Sequence, residues 1–393
     1  MDQTAESTHQ SVDYRPNLIH LALVFTNALS RIPPTALMPA WLALAAIACW
    51  PWGDLRLAAA LLALAFTLVD GASLSLLPHC DRSFGPVTPP LLGLTLIRTA
   101  LFFGLGIAWV TPAGLLGAAA LNLAIFAVAL YGTWVEPFQI GITRITLRSP
   151  KLNGSGPLRL LHLSDLHVER FALRERRLLY LVETLSPDAI VLTGDYLILS
   201  AAQDEAIHAA AHRALSALCQ IAGPERPIYA ISGSPPVDHP DVVPAIFADL
   251  SIHWLLDAVA DVQIKGHAVR IAGLRCTADR QRDAPRLRRL LENSASPERF
   301  TLLLYHSPDL MPEATALGVD LYLCGHTHGG QIRLPFFGAI FTSSEFGKRY
   351  EMGCYRAGDT TLYVNRGLGV EGLGSPRARF LSPPEIVLWT LSN

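Results

Sequence analysis

The chain has 393 residues, 51% of them hydrophobic and only 16% charged, whereas an ordinary soluble protein carries about 25% charged residues. Eleven charges before position 136 against 53 from there on exclude a single uniform domain. The near balance of 31 basic and 33 acidic residues excludes a nucleic-acid binder held by a broad basic face.

The boundaries expected from this split are 1–32 for an N-terminal polar and interfacial segment, 33–135 for a transmembrane region of about four helices, 136–156 for a linker and first strand, and 157–393 for the soluble remainder. Met1 to Asn17 lacks the basic start and apolar core of a signal peptide. Leu18 to Leu29 is interrupted by His20, Thr26 and Asn27 and reads as interfacial; a fifth span there would reverse the topology. Between Ala36 and Val135 only Asp54, Arg56, Asp70, Asp81, Arg82 and Arg98 are charged. They divide the apolar sequence into segments 36–52, 57–77, 90–110 and 113–135. Three of these reach the ~20 residues that cross a ~30 Å hydrocarbon core, and the first is marginal.

With four spans, Arg15, Arg31, Arg82, Arg144, Arg148 and Lys151 share one side and Arg56 stands alone on the other. The positive-inside rule then puts the C-terminal part in the cytoplasm, and a multi-pass protein of the cell (inner) membrane is expected. The singly scattered Cys219, Cys276, Cys324 and Cys354 suit a reducing compartment. Asp70, near the end of one segment, and Arg98, a similar distance into the next, fall at the same depth in an antiparallel hairpin. They are expected to form an ion pair, because a charge inside a span is expensive unless paired.

After Val135 apolar runs alternate with amphipathic stretches. Strands are expected at 158–163, 189–192, 228–231, 269–274, 301–305, 321–323 and 385–391, and helices at 174–185, 203–219 and 286–292. This is an α/β pattern of two sheets with helices outside them. Asp165 and His167 follow the first of these strands, Asp195 the second, His306 the fifth, and His326 and His328 the sixth, in Gly325-His326-Thr327-His328-Gly329-Gly330. Strand ends on one sheet edge are where α/β proteins collect ligand-binding groups. Imidazoles and carboxylates in one cluster suit divalent Mn, Fe or Zn.

Asp-x-His, Gly-Asp, a lone His and Gly-His-x-His in this order resemble the calcineurin-like metallophosphoesterases over roughly 157–393. The Gly-His-Thr-His-Gly-Gly-Gln form behind an apolar N-terminal region resembles the membrane-associated branch of YkuE- and YaeI-type phosphodiesterases, with relatives assigned to UDP-2,3-diacylglucosamine hydrolysis in lipid A synthesis. The resemblance implies a four-layer αββα sandwich behind an N-terminal transmembrane bundle. It also implies two metal ions, one on Asp165, His167, Asp195 and His328, the other on Asp195, His306 and His326, with Asp195 bridging. Where the family carries Gly-Asn-His-Asp, this chain has Gly233-Ser234-Pro235-Pro236-Val237-Asp238-His239. Ser234 is a poorer ligand than the family asparagine, which leaves the second site in question. Asp238 and His239 either fold back to restore a ligand and a phosphate-contacting, catalytic imidazole, or are loop residues.

Arg170 and Arg366 are candidates for holding substrate phosphate, with surface salt bridges as the simpler role. Cys324 reads as a small buried residue rather than a nucleophile. The run Leu334 to Phe341 is expected to pack in the core, with an acyl-chain surface as the sharper alternative. The expected activity is metal-dependent hydrolysis of a phosphodiester or pyrophosphate in a phosphorylated, lipid-linked substrate at a membrane. The alternative is a phosphoesterase-like membrane protein that binds metal or phospholipid without turnover.

Overall fold

The structure, a computed structural model, describes residues 29–199, 203–292, 298–371 and 377–393. The polar N-terminal segment and nearly all of Leu18–Leu29 lie outside the described residues.

Among the described residues four helices come first: α1 (Met38–Cys49), α2 (Arg56–Leu76), α3 (Thr88–Ala108) and α4 (Pro112–Leu130). Prolines occupy the first or second position of α1, α3 and α4, where a missing N–H leaves no hydrogen bond unmade. Three helices in this region are long and apolar enough to cross a membrane. The first expected span falls short as a regular helix, because α1 has 12 residues, about 18 Å of rise. Pro33, Pro34 and Pro51 bracket it and leave only 3-10 turns at its ends. Small and aromatic residues such as Ala48, Trp52, Ala59, Phe102 and Ala118 pack inward. Leu57, Leu61, Leu68 and Leu116 face outward, the reverse of a water-soluble bundle.

Asp70 and Arg98 form the expected pair inside this region. Arg98 Nε and Nη2 donate to the two Asp70 oxygens at 2.7 and 2.9 Å, and Nη1 donates to the Asn122 carbonyl and side-chain oxygen at 2.7 and 3.0 Å. The group is buried and joins α2, α3 and α4. Asn122 carries no sequence signal of its own, since its partner lies on another helix.

The rest of the chain forms two six-stranded mixed sheets. The first has the order β1 (Gly141–Arg148), β14 (Glu385–Ser392), β2 (Leu158–Leu163), β3 (Ala189–Leu192), β4 (Ile228–Ala230), β5 (Ile252–Trp254). The second runs β12 (Gly353–Ala357), β13 (Thr360–Val364), β9 (Leu321–Cys324), β8 (Phe300–Leu304), β7 (His267–Gly273), β6 (Ala258–Ile264). Strands β2 to β5 are mutually parallel, as are β7, β8, β9 and β13. Helices α5 (Leu173–Leu185), α6 (Glu205–Ala222) and α7 (Val243–Phe247) cover the first sheet through Leu178, Leu215 and Phe247. Helices α8 (Arg280–Glu292) and α9 (Met311–Ala316) cover the second through Leu287 and Met311. Leu160, Val191, Ile271, Leu302 and Trp389 fill the space between the sheets. Strands β2 and β3 are apolar toward both sides, as burial on both faces requires.

The Leu334–Phe341 run corrects the expectation of core packing. It forms a small separate hairpin, β10 (Arg333–Leu334) and β11 (Gly338–Ala339). Belonging to neither large sheet, it is covered by no layer among the described residues, and Leu334, Phe336, Phe337, Ile340 and Phe341 stand exposed.

Candidate metal centre

The parallel strands deliver their carboxyl ends to one edge, and the chain turns sharply there. Asp165, His167, Asp195, His326 and His328 all have positive φ, between 38° and 73°, a conformation rare for non-glycine residues that marks functional sites. The turns brace one another: Asp165 N–H donates to the Gly194 carbonyl at 2.9 Å and His167 N–H to the Asp195 carbonyl at 3.0 Å. Gly194 must be glycine, because its φ is 94° and a side chain there would overlap the Gly233 backbone.

Two groups of side chains result, Asp165 with His167 and His328, and Asp195 with His306 and His326. His167 Nε2 and His328 Nε2 are 3.1 Å apart, and His328 Nε2 is 3.5 Å from Asp165 Oδ1. Asp195 Oδ2 lies 3.2 Å from His306 Nε2 and 3.7 Å from His167 Nε2, so this carboxylate faces both groups.

These residues fit divalent cations. The Nδ1–H groups of His167 and His306 donate to the carbonyls of Leu197 and Thr193 at 2.9 and 2.7 Å, which turns each Nε2 into the cluster. His306 Nε2 is completely buried without a well-formed hydrogen bond. His328 differs: its Nδ1 faces the Arg379 guanidinium at 3.3 Å rather than an acceptor. The electrostatics follow the crowding. Burial disfavours charge on His306, but Asp195 and then Asp165 outweigh it and push its pKa up to about 10. Burial would likewise raise Asp195, yet His306, His167 and His326 hold it well below the carboxylate range. Burial, reinforced by His306 for His326 and by His167 for His328, keeps both imidazoles neutral.

The departing loop reaches the cluster through Ser234. Its Oγ lies 3.3 Å from Asp195 Oδ2 and 3.3 Å from His326 Nδ1, and its N–H donates to Asp195 Oδ1 at 2.6 Å. Asp238 folds back, but onto backbone: it accepts the N–H groups of Asp195, Tyr196 and Gly233 at 2.7 to 2.9 Å. Burial, then Asp195, raises its pKa to about 7. His239 stays in its own turn beside Asp241 at 3.5 Å, half-exposed.

The candidate arginines stand elsewhere. Arg170 is exposed and stacks on Phe84 at 4.3 Å, at the junction with the helical region. The Arg366 guanidinium is engaged by Glu385 at 2.7 Å. Cys324 is fully buried, its thiol pushed well up by burial.

Three residues at the site escaped the sequence reading. Glu371 Oε2 lies 3.8 Å from His167 Nε2, and Glu371 forms a third possible ligand group with His167 and Asp195. Its only signal is a carboxylate closing the glycine-rich stretch after Asn365-Arg366. Arg379 is fully buried, donates to the carbonyls of Arg366, Gly367, Gly369 and Ser382, and so shapes the loop beneath His328. Burial lowers its pKa to about 9. Glu136, just past α4, accepts the N–H groups of Leu381 and Ser382.

Two mixed sheets meeting at a buried Asp/His cluster form an α/β domain with a candidate metal centre. No family model matches the chain, but individual relatives do. It is 32% identical over 275 residues to the metallophosphoesterase YkuE of Bacillus subtilis, covering 67% of this chain and 89% of that one. It is 31% identical over 248 residues to the phosphodiesterase YaeI of Escherichia coli, covering 61% and 85%. A UDP-2,3-diacylglucosamine pyrophosphatase, LpxG of Chlamydia trachomatis, is 25% identical over 332 aligned positions, covering 69% and 95%. The chain belongs to the calcineurin-like metallophosphoesterase family and is a hydrolase of phosphoric ester bonds.

Proposed function

We propose that this is a membrane-anchored phosphoesterase that cleaves a phosphodiester or pyrophosphate bond in a lipid-linked substrate, using two divalent cations of the Mn, Fe or Zn class. The observation that carries the reading is the Asp195 carboxylate, which faces both His306 at 3.2 Å and His167 at 3.7 Å. In this assignment Asp165, His167 and His328 hold one ion and His306 and His326 the other, with Asp195 between them. Ser234 Oγ offers a weak neutral donor where the family has an amide. When bound, such cations polarise phosphoryl oxygens and lower the pKa of water.

The chain's own residues prepare that chemistry. Asp165 and Asp195 supply the negative charge that two cations require. The carbonyls of Leu197 and Thr193 fix the imidazole tautomers, and the positive-φ turns aim the side chains before any ligand arrives. No protein nucleophile is needed.

The lipid-linked substrate class is supported by the outward-facing apolar helices and by the substrate named for the Chlamydia relative. A site held at a bilayer meets amphiphilic substrates at raised local concentration. The asymmetry of arginine and lysine favours a cytoplasmic site, in a four-layer αββα sandwich spanning 157–393.

The test is hydrolysis of a generic phosphodiester by purified full chain with Mn2+, beside Asp195→Ala. Metal-dependent turnover lost in the variant is expected. Equal rates overturn the proposal, and metal or phospholipid binding without turnover would favour the non-catalytic reading that Ser234 raises.

A further inference from the structure

We propose that the β10–β11 hairpin is a membrane-dipping element whose Phe336–Phe337 tip seats in the same bilayer as the helices, placing the metal centre at the lipid surface. The inference rests on the membrane-anchored reading above. Phe336 is completely exposed, and Leu334, Phe337, Ile340 and Phe341 are 44 to 58% exposed. Five large apolar side chains on one short hairpin exceed what a surface needs for function in water.

The position of the hairpin's base selects the bilayer as its occupant. Ile332 bridges to Phe380, and Arg333 N–H donates to the Phe380 carbonyl at 3.0 Å. The Phe380 ring meets the Tyr131 ring edge-on at 6.3 Å, and Arg379 N–H donates to the Gly132 carbonyl at 2.8 Å. Tyr131 and Gly132 directly continue α4. Leu130, Tyr131, Val135 and Leu381 are themselves partly exposed, so an apolar surface runs from the end of a spanning-length helix to the hairpin.

The surrounding chemistry matches an interface. Lys348 lies over the Phe337 ring at 3.5 Å, and Arg349 beside it is exposed. Aromatic tips with basic neighbours suit the headgroup boundary, where rings enter the acyl edge and cations meet anionic headgroups. The hairpin starts just three residues after the metal motif's last glycine, Gly330, whose φ is 86° and where a side chain would overlap Ala339. Its seat therefore also sets the distance from bilayer to His328.

A nitroxide label reads this directly. Phe336→Cys is labelled in the full chain with exposed or part-exposed Cys80, Cys219 and Cys354 changed to Ser, and reconstituted in phosphatidylcholine–phosphatidylglycerol vesicles. Asp359→Cys, on the fully exposed β12–β13 turn, is the control. The label at 336 is expected to collide several-fold more with oxygen than with a water-soluble nickel chelate, and the label at 359 to show the opposite. Equal nickel access at both positions places the tip in water and overturns the proposal. Protection from both agents places it against protein, such as a second copy, and also overturns it. Flotation of the same vesicles reports separately on the helices: chain that fails to float overturns the anchored reading, whereas floating chain with a water-exposed tip overturns the hairpin alone.

Discussion

Glu136 and Ser382 join the helical region to the metal centre. The Glu136 carboxylate accepts the Ser382 N–H at 2.5 Å and the Leu381 N–H at 3.0 Å, while Ser382 Oγ donates to the His328 carbonyl at 2.6 Å. The helical region is thus hydrogen-bonded to the loop that carries His328.

Glu136→Ala should leave the buried Ser382 N–H without an acceptor, at about 1–3 kcal/mol, whereas the part-exposed Leu381 N–H can turn to water. A lowered Tm together with weaker metal retention is expected, and Glu136→Gln, which keeps one acceptor, should fall between. Unchanged metal content in the alanine variant would count against the coupling.

Ser234→Asn should strengthen the second ion's site. An amide oxygen is a better donor than a neutral hydroxyl, and Ser234 Oγ already lies 3.3 Å from both Asp195 and His326. Metal titration should show tighter binding of the second equivalent, by about tenfold or 1.4 kcal/mol. A looser second equivalent would mean that the serine suits the site better than the amide.

Metal binding should release a proton from His306. In the metal-free protein its pKa is raised to about 10, so it is charged at neutral pH, and only the neutral imidazole can be a ligand. Apparent affinity should therefore rise by up to about tenfold per pH unit between about pH 6 and 8. For the metal-free fold the sign is opposite. The His306 contribution is complete below its ordinary pKa of 6.5 and is lost as pH rises through about 10. Calorimetry in buffers of different ionisation enthalpy counts the protons, and a count of zero at neutral pH would contradict the assignment.

Asp70→Leu should destabilise the helical region by about 3–5 kcal/mol, because it leaves the Arg98 charge buried with only Asn122 oxygens. Asp70→Leu with Arg98→Leu should recover much of that loss. Thermal unfolding in detergent compares them; a double variant no better than the single would show that geometry rather than charge sets the cost.

Much of the site was legible because its signals are local. An apolar run ended by Asp or His declares a strand and its loop, and β2 and β3 begin and end where the apolar runs 158–163 and 189–192 put them. Asp70 and Arg98 were legible too, since equal distance from a hairpin turn is arithmetic on sequence. The short α1 and the exposed hairpin were less so, because hydrophobicity alone cannot say whether a neighbouring layer exists to cover an apolar residue.

The sequence by itself determined the division into an apolar and a charged region, the strand ends and the order of the Asp and His residues of the candidate metal centre. Tertiary structure alone decided which distant groups serve them. Asp238 clamps three N–H groups, and Glu371, Arg379 and the Glu136-braced loop come to the cluster from positions with no recognisable spacing. The physical reason is that strand and helix patterns are written in neighbouring residues, whereas the partner of a buried polar group is whatever the closing of two sheets and a helix end brings within hydrogen-bond distance.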